Sequence, residues 1–253
     1  MAVDRRECAV VVGATGAMGQ RIARRLAGAG LQVIAVARSA NALAALCDPS
    51  ERIEACVADI AVDAASETIG AAVAGRRVRM VVHGPGVATA GGVLTASTEA
   101  VVDAVNIKVG GMMRLVRAVD PQLHAGARLV AIGGHYGFEP TAYAATAGVC
   151  NAALANLMRQ YSWAYGARGI TAHLVAPGPA DTDRLRRVAQ TRAERDSISA
   201  DAVLQAMKQE SAIGAFTTVE QIAWGIEMLL APEADALAGS TLFMDAGRRR
   251  GLP

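Results

Sequence analysis

A glycine-spaced segment, Gly13-Ala14-Thr15-Gly16-Ala17-Met18-Gly19, follows the apolar run Cys8–Val12 and leads into an Ala-rich stretch. Glycines at Gly-x-x-Gly-x-x-Gly spacing give a tight turn, let the backbone approach a pyrophosphate and let a helix pack on its strand, with the helix N-terminus facing the phosphates. Gly13, Thr15, Gly16, Ala17, Met18 and Gly19 are therefore the first candidate cofactor residues. Arg38 and Ser39 close the next apolar run, where no acid stands to hold ribose hydroxyls. Arg38 can neutralise and hydrogen-bond a 2′-phosphate, which favours NADP(H) over NAD(H), although a surface arginine opening a helix gives the same pattern. Further on, His135 and Tyr136 directly follow Gly133-Gly134, and Tyr143 opens the segment Tyr143-Ala144-Ala145-Thr146-Ala147. All three side chains can move protons, and a phenol, with a pKa of about 10 when unperturbed, gives its proton more readily beside a positive charge.

The elements that must position these groups alternate along the chain. Cys8–Val12, Leu31–Ala37, Arg52–Val57, Val78–Val82, Ala127–Ile132, Ile170–Val175 and Ser240–Met244 read as buried strands, mostly continuous rather than alternating in hydropathy. Helices fit Ala17–Ala29, Ala40–Leu46, Val62–Ala74, Ser97–Val119, Tyr143–Tyr165 and Val219–Leu230. Continuous apolar strands separated by helices indicate a Rossmann-like, doubly wound parallel sheet with helices on both faces. Residues 1–253 read as one α/β domain, and the polar, helix-compatible stretch 181–216 reads as a substrate lid over the carboxyl edge of the sheet.

From end to end, these motifs in this order resemble the short-chain dehydrogenase/reductase superfamily. The resemblance implies that Asp59 and Ile60 meet the adenine ring, with helix capping as a competing role for Asp59. It also implies that His83, Gly84 and Pro85, in His83-Gly84-Pro85-Gly86, stand where the family has Asn-Asn-Ala-Gly beside the cofactor ribose. Asn106 matches a helix asparagine whose backbone carbonyl holds a water in the family's proton relay, and Pro177, Gly178 and Thr182 match a turn that holds the nicotinamide carboxamide. Gly239–Gly247 resembles the family's closing strand, which packs across a dimer interface, so a homodimer or homotetramer is expected. Tyr143 stands as the catalytic tyrosine of Tyr-x-x-x-Lys, but Ala147 occupies the lysine position, and Gly134 occupies that of the serine that binds the substrate carbonyl.

In the family, that lysine favours tyrosinate and hydrogen-bonds the nicotinamide ribose; Ala147 can do neither. The chain's two lysines are Lys108 and Lys208. Lys208 falls in the lid stretch, and Lys108 lies about 200° round the helix from Asn106, so neither is placed for the vacant role. Catalysis is expected from Tyr143, Asn106 and His135, with Tyr136 as another substitute donor.

Composition bounds the rest. With 53% hydrophobic residues the chain can build one large core, and its net charge of +2 gives no basic stripe for nucleic acid, Arg248-Arg249-Arg250 reading as a solvated tail or subunit contact. No apolar run reaches membrane-spanning length, the start Met1–Arg6 carries no signal-peptide pattern, and the four scattered cysteines suggest reduced thiols and no metal site, so a cytoplasmic protein is expected. Three functions remain open: an NADPH-dependent reductase of atypical mechanism acting on a mid-sized apolar or polycyclic carbonyl, a non-redox cyclase, dehydratase or epimerase, and a silent NADP(H) sensor.

Overall fold

The computed structural model describes residues 7–47, 52–87 and 91–251. The expectation for Met1–Arg6 lies outside those residues. Seven strands, β1 (Glu7–Val12), β2 (Gln32–Ala37), β3 (Ile53–Val57), β4 (Arg77–His83), β5 (Leu123–Ile132), β6 (Thr171–Pro177) and β7 (Thr241–Met244), form one sheet. Their order is β3-β2-β1-β4-β5-β6-β7, with every pair parallel. The order reverses between β1 and β4, which opens a crevice at the carboxyl ends of these strands, the place where such sheets bind ligands.

Successive residues of each strand point to opposite faces. Cys8, Val10 and Val12 of β1 enter one apolar cluster, with Met112 and Leu115 of α5 (Gly111–Val119) and Leu154 and Met158 of α6 (Ala145–Gly166). Ala9 and Val11 enter the other, with Ile22 and Leu26 of α1 (Ala17–Gly28), Leu43 of α2 (Ala40–Leu46) and Ile222 and Ile226 of α9 (Val219–Met228). Burial on both faces explains why the strands read as unbroken apolar runs. On the first face α3 (Ala64–Ala72) completes the layer.

Three elements differ from the sequence reading or refine it. The stretch read as one helix over Ser97–Val119 is α4 (Thr98–Val105), a π-turn at Asn106–Gly110, then α5. The π-turn takes one residue more per turn than an α-helix, a local change that periodicity does not report. The helix read from Tyr143 starts at Ala145, so Tyr143 lies just ahead of α6. The helix-compatible stretch 181–216 folds as two helices, α7 (Asp183–Asp196) and α8 (Ala200–Gln209), packed around Leu185, Ala189, Val203 and Met207. Among the described residues no helix is long and apolar enough to cross a membrane, and no cluster of His, Cys, Asp or Glu could hold a metal ion.

Candidate active site

At the crevice, Gly13 takes φ of +81°, a conformation other residues rarely adopt, and a Cβ on Gly19 would lie 2.1 Å from the Gly13 carbonyl oxygen. Glycine at 13 makes the turn, and glycine at 19 lets α1 close onto it. Gly16 caps α1 with no side-chain hydrogen bond, so the first N–H groups of the helix stay open to an anion. A groove of about 540 Å³ runs past this turn, lined by Gly13, Thr15, Gly16, Ala17, Met18, Gly19, Arg38, Asp59, Ile60, Gly84 and Pro85, with Thr182 at its far end. Arg38, Arg184 and Arg187 face it against two acids, Asp59 and Asp183, a net positive balance that suits a polyphosphate. The donor set and the close backbone approach fit a dinucleotide.

Beyond Met18 and Gly86 a second cavity, of about 240 Å³, opens beside the groove. Tyr143 reaches it from the loop before α6, Gly133, Gly134, His135 and Tyr136 from the end of β5, and Pro177, Gly178 and Thr182 from the turn after β6. Leu185, Val188 and Arg192 of α7 and Met207 of α8 close the far side. The Tyr136 and Tyr143 hydroxyls are 3.0 Å apart, and the Arg192 guanidinium carbon lies 4.6 Å from the centroid of the Tyr143 ring. Burial alone would raise the Tyr143 pKa, but the Tyr136 hydroxyl and then the Arg192 guanidinium outweigh it and leave the phenol more acidic than usual. Tyr136 is pushed the other way, to about 12, by burial and by Tyr143. The opposed shifts fit Tyr136 donating its proton to the Tyr143 oxygen.

Lys108 forms the cavity floor. It is 6% exposed, and Nζ donates to the Ile132 carbonyl at 2.7 Å. Burial, opposed by the Cys150 sulfur and reinforced by Arg184, lowers its pKa to about 8. Three cations, Lys108, Arg184 and Arg192, line this cavity, with no Asp or Glu among its lining residues.

Several expected site residues fall elsewhere. Ser39 does not line the groove: its Oγ accepts from the Ala42 N–H and caps α2. His83 is fully buried, its Nε2 3.0 Å from the Ile107 carbonyl oxygen, and burial with the nearby Lys108 charge lowers its pKa to about 3. It is a neutral core side chain that meets neither groove nor cavity. Asn106 faces outward, its Nδ2 donating to the Ala61 carbonyl and its Oδ1 accepting from Arg114; its own carbonyl accepts the Gly111 N–H across the π-turn. The two side chains do part company, but Lys108 is the one that enters the cavity, while Asn106 turns to Ala61 and Arg114. Asp59 lines the groove while its Oδ1 accepts from the Ala61 N–H in a local turn; it does not cap the next helix, whose N-cap is Asp63. His135 lines the cavity, 5% exposed, its pKa lowered to about 4 by burial and by Arg248, and its Nε2 finds no partner among the described residues.

Sequence reasoning passed over Lys108, Arg192 and Asn151. The available signals were a lone lysine within the apolar Val105–Met113 stretch, and an asparagine four residues after Ala147 on the same helix face.

The same fold recurs in known proteins. Across nearly the whole length, 28% of residues are identical to the short-chain reductase protein NovJ of Streptomyces niveus, an alignment covering 98% of this chain and 96% of NovJ. The fold superposes on an actinorhodin polyketide ketoreductase solved with NADPH at a TM-score of 0.87 and 23% identity, covering 98% of this chain and 99% of that one. A short-chain oxidoreductase of Pseudomonas aeruginosa PAO1, solved with NADPH and described as containing an atypical catalytic center, superposes at 0.86 with 21% identity over 97% of both chains. A family model described as Enoyl-(Acyl carrier protein) reductase matches residues 13–249, and the chain belongs to this family of the short-chain dehydrogenase/reductase superfamily.

Proposed function

We propose that this protein is an NADPH-dependent reductase of a mid-sized apolar or polycyclic carbonyl compound, working without the serine and lysine usual in its superfamily. The observation that carries the reading is the acidified Tyr143 phenol in the same cavity as Gly133 and the Pro177–Thr182 turn. The groove beside it supports the cofactor: Gly13–Gly19 cradle a pyrophosphate, and Arg38 meets a 2′-phosphate. NADPH held by these residues would supply the hydride for the carbonyl carbon, whose π pair would pass to the oxygen.

Tyr143 protonates that oxygen, with Tyr136 holding the phenolate that forms and Arg192 balancing its charge. Lys108 holds a positive charge at the floor, where negative charge develops. His135, buried and neutral, shapes the wall. Residues 181–216 act as the lid, α7 and α8 excluding water and supplying Arg192. The names of the relatives agree with this activity, and the family description makes an activated enone a second acceptor class for the same hydride and proton. Exposed Val102 of α4 with Val149 and Trp163 of α6 offer an apolar face to a second copy in a homo-oligomer.

Fluorescence titration with NADPH, then NADPH oxidation with alpha-tetralone, cyclohexenone and naphthoquinone, tests the reading. Tyr143→Phe is expected to lower turnover by about 10²–10⁴ while leaving NADPH affinity intact. Failure to bind NADP(H) overturns the proposal, and binding without oxidation by any of these acceptors points to non-redox chemistry or redox sensing.

A further inference from the structure

Asn151 sits in the interior of α6, where an asparagine is a poor helix former, and it is 5% exposed. Its Oδ1 receives only a long contact, 4.0 Å, from the Cys150 thiol, and its Nδ2 donates to no acceptor among the described residues. That donor is not sealed away from the cavity, and an unengaged amide in so enclosed a place is kept there for a reason.

Its surroundings supply the reason. Asn151 lines the same cavity as Tyr143, Gly133 and Gly134. A Cβ built on Gly134 would stand 2.9 Å from Asn151 Nδ2, so a side chain at 134 would push the amide out of this position. Gly134 has φ of 172°, an extended conformation open to any residue, so its backbone does not demand glycine. The neighbouring amide does. Ala147 precedes Asn151 by four residues on the same face, and side chains on a helix lean toward its N-terminus, so the amide leans over a position that carries only a methyl group.

We propose that the Asn151 amide is the catalytic hydrogen-bond donor to the substrate's acceptor oxygen, and that Gly134 is glycine, and Ala147 small, because that amide occupies the space between them. The proposal rests on the reductase reading above. As hydride adds to the carbonyl carbon, the C=O π pair moves to the oxygen, and Nδ2–H holds the growing negative charge until Tyr143 delivers the proton. The amide itself keeps its protons throughout. The preferred ligand is a neutral carbonyl, whose oxygen accepts both the amide hydrogen and the phenol proton.

Asn151→Asp keeps the shape and removes the donor. It is expected to lower kcat for alpha-tetralone or naphthoquinone by about 10²–10³, with the fluorescence-measured NADPH affinity within threefold of the parent. Asn151→Ala is expected to lose as much, and Gly134→Ser combined with Asn151→Ala, which places a hydroxyl donor in the space vacated, is expected to recover at least tenfold over Asn151→Ala alone. Turnover by Asn151→Asp within threefold of the parent overturns the proposal, as does a loss of NADPH affinity in step with turnover, which marks a structural role. A second readout is independent of turnover: the Asn151 side-chain amide resonances in heteronuclear NMR, assigned by their loss in Asn151→Asp, shift when alpha-tetralone is added to the NADP⁺ complex. If the parent never oxidises NADPH, the reductase reading fails, while this shift still decides for or against the amide as the oxygen's partner.

Discussion

Two buried cations stand at opposite ends of β5, and the protein treats them in opposite ways. Arg128, on the strand itself and 1% exposed, spends its guanidinium on the Leu229 and Ala231 carbonyls, the Thr171 hydroxyl and the Asp235 carboxylate at 2.6–3.1 Å. Lys108, reaching the carboxyl end of the strand, uses one of its three donors among the described residues, on the Ile132 carbonyl. A saturated buried charge ties elements together; an unsaturated one is held in readiness for something that arrives. The amino end of the sheet is thus a clamp between β5, β6 and the segment after α9, and the carboxyl end is a site.

The sharpest way to break this contrast is to remove each cation. Arg128→Met takes the guanidinium from the Leu229 carbonyl and unties it from Ala231, Thr171 and Asp235, and is expected to cost about 2–3 kcal/mol in urea unfolding. Lys108→Met, filling similar volume, is expected to leave stability unchanged or raised, because it removes a buried charge with no anionic partner. Its cost should fall instead on turnover, by about 10²–10³. Equal losses of stability in both variants would erase the distinction.

A smaller effect tests the same point through pH. Lys108 titrates near 8 in the folded chain against 10.5 for a free lysine, so between these values the unfolded chain binds more protons. Unfolding free energy therefore gains a rising contribution from pH 8 to 10.5, and that contribution disappears in Lys108→Met. His83 gives the mirror case on the acid side. Its folded pKa of about 3, against 6.5, takes stability away as pH falls from 6.5 toward 3, and thermal melts across the two windows report both. Neighbouring His135, Cys150 and Arg184 remain in both proteins, so the difference between parent and variant isolates the lysine.

What the chain shows before folding divides along the same line. The strands, the Gly13–Gly19 turn and the Arg38 position are legible because backbone geometry and continuous burial leave local marks: positive φ, close approach and unbroken apolar runs. Side-chain direction leaves none. Ser39, His83 and Asn106 stand at sequence positions that suggest the site, yet a cap, a core contact and an outward hydrogen bond absorb them. Arg192 lies 49 residues from Tyr143 along the chain and meets it only because α7 folds over the cavity. Asn151 hides in plain sequence, since an asparagine in a helix has many ordinary uses.

The π-turn between α4 and α5 gives the inward lysine an unusual genetic basis. Lys108, aimed at the cavity, stands within the turn Asn106–Gly110, which holds one residue more than a regular helical turn. Excising Val109 would restore regular pitch and swing the residues before the cut by about 100° relative to α5. Substitutions along this stretch alter size and charge but leave the count intact. The trait is therefore gained or lost in one insertion or deletion, and a relative one residue shorter here would carry the same lysine facing somewhere else.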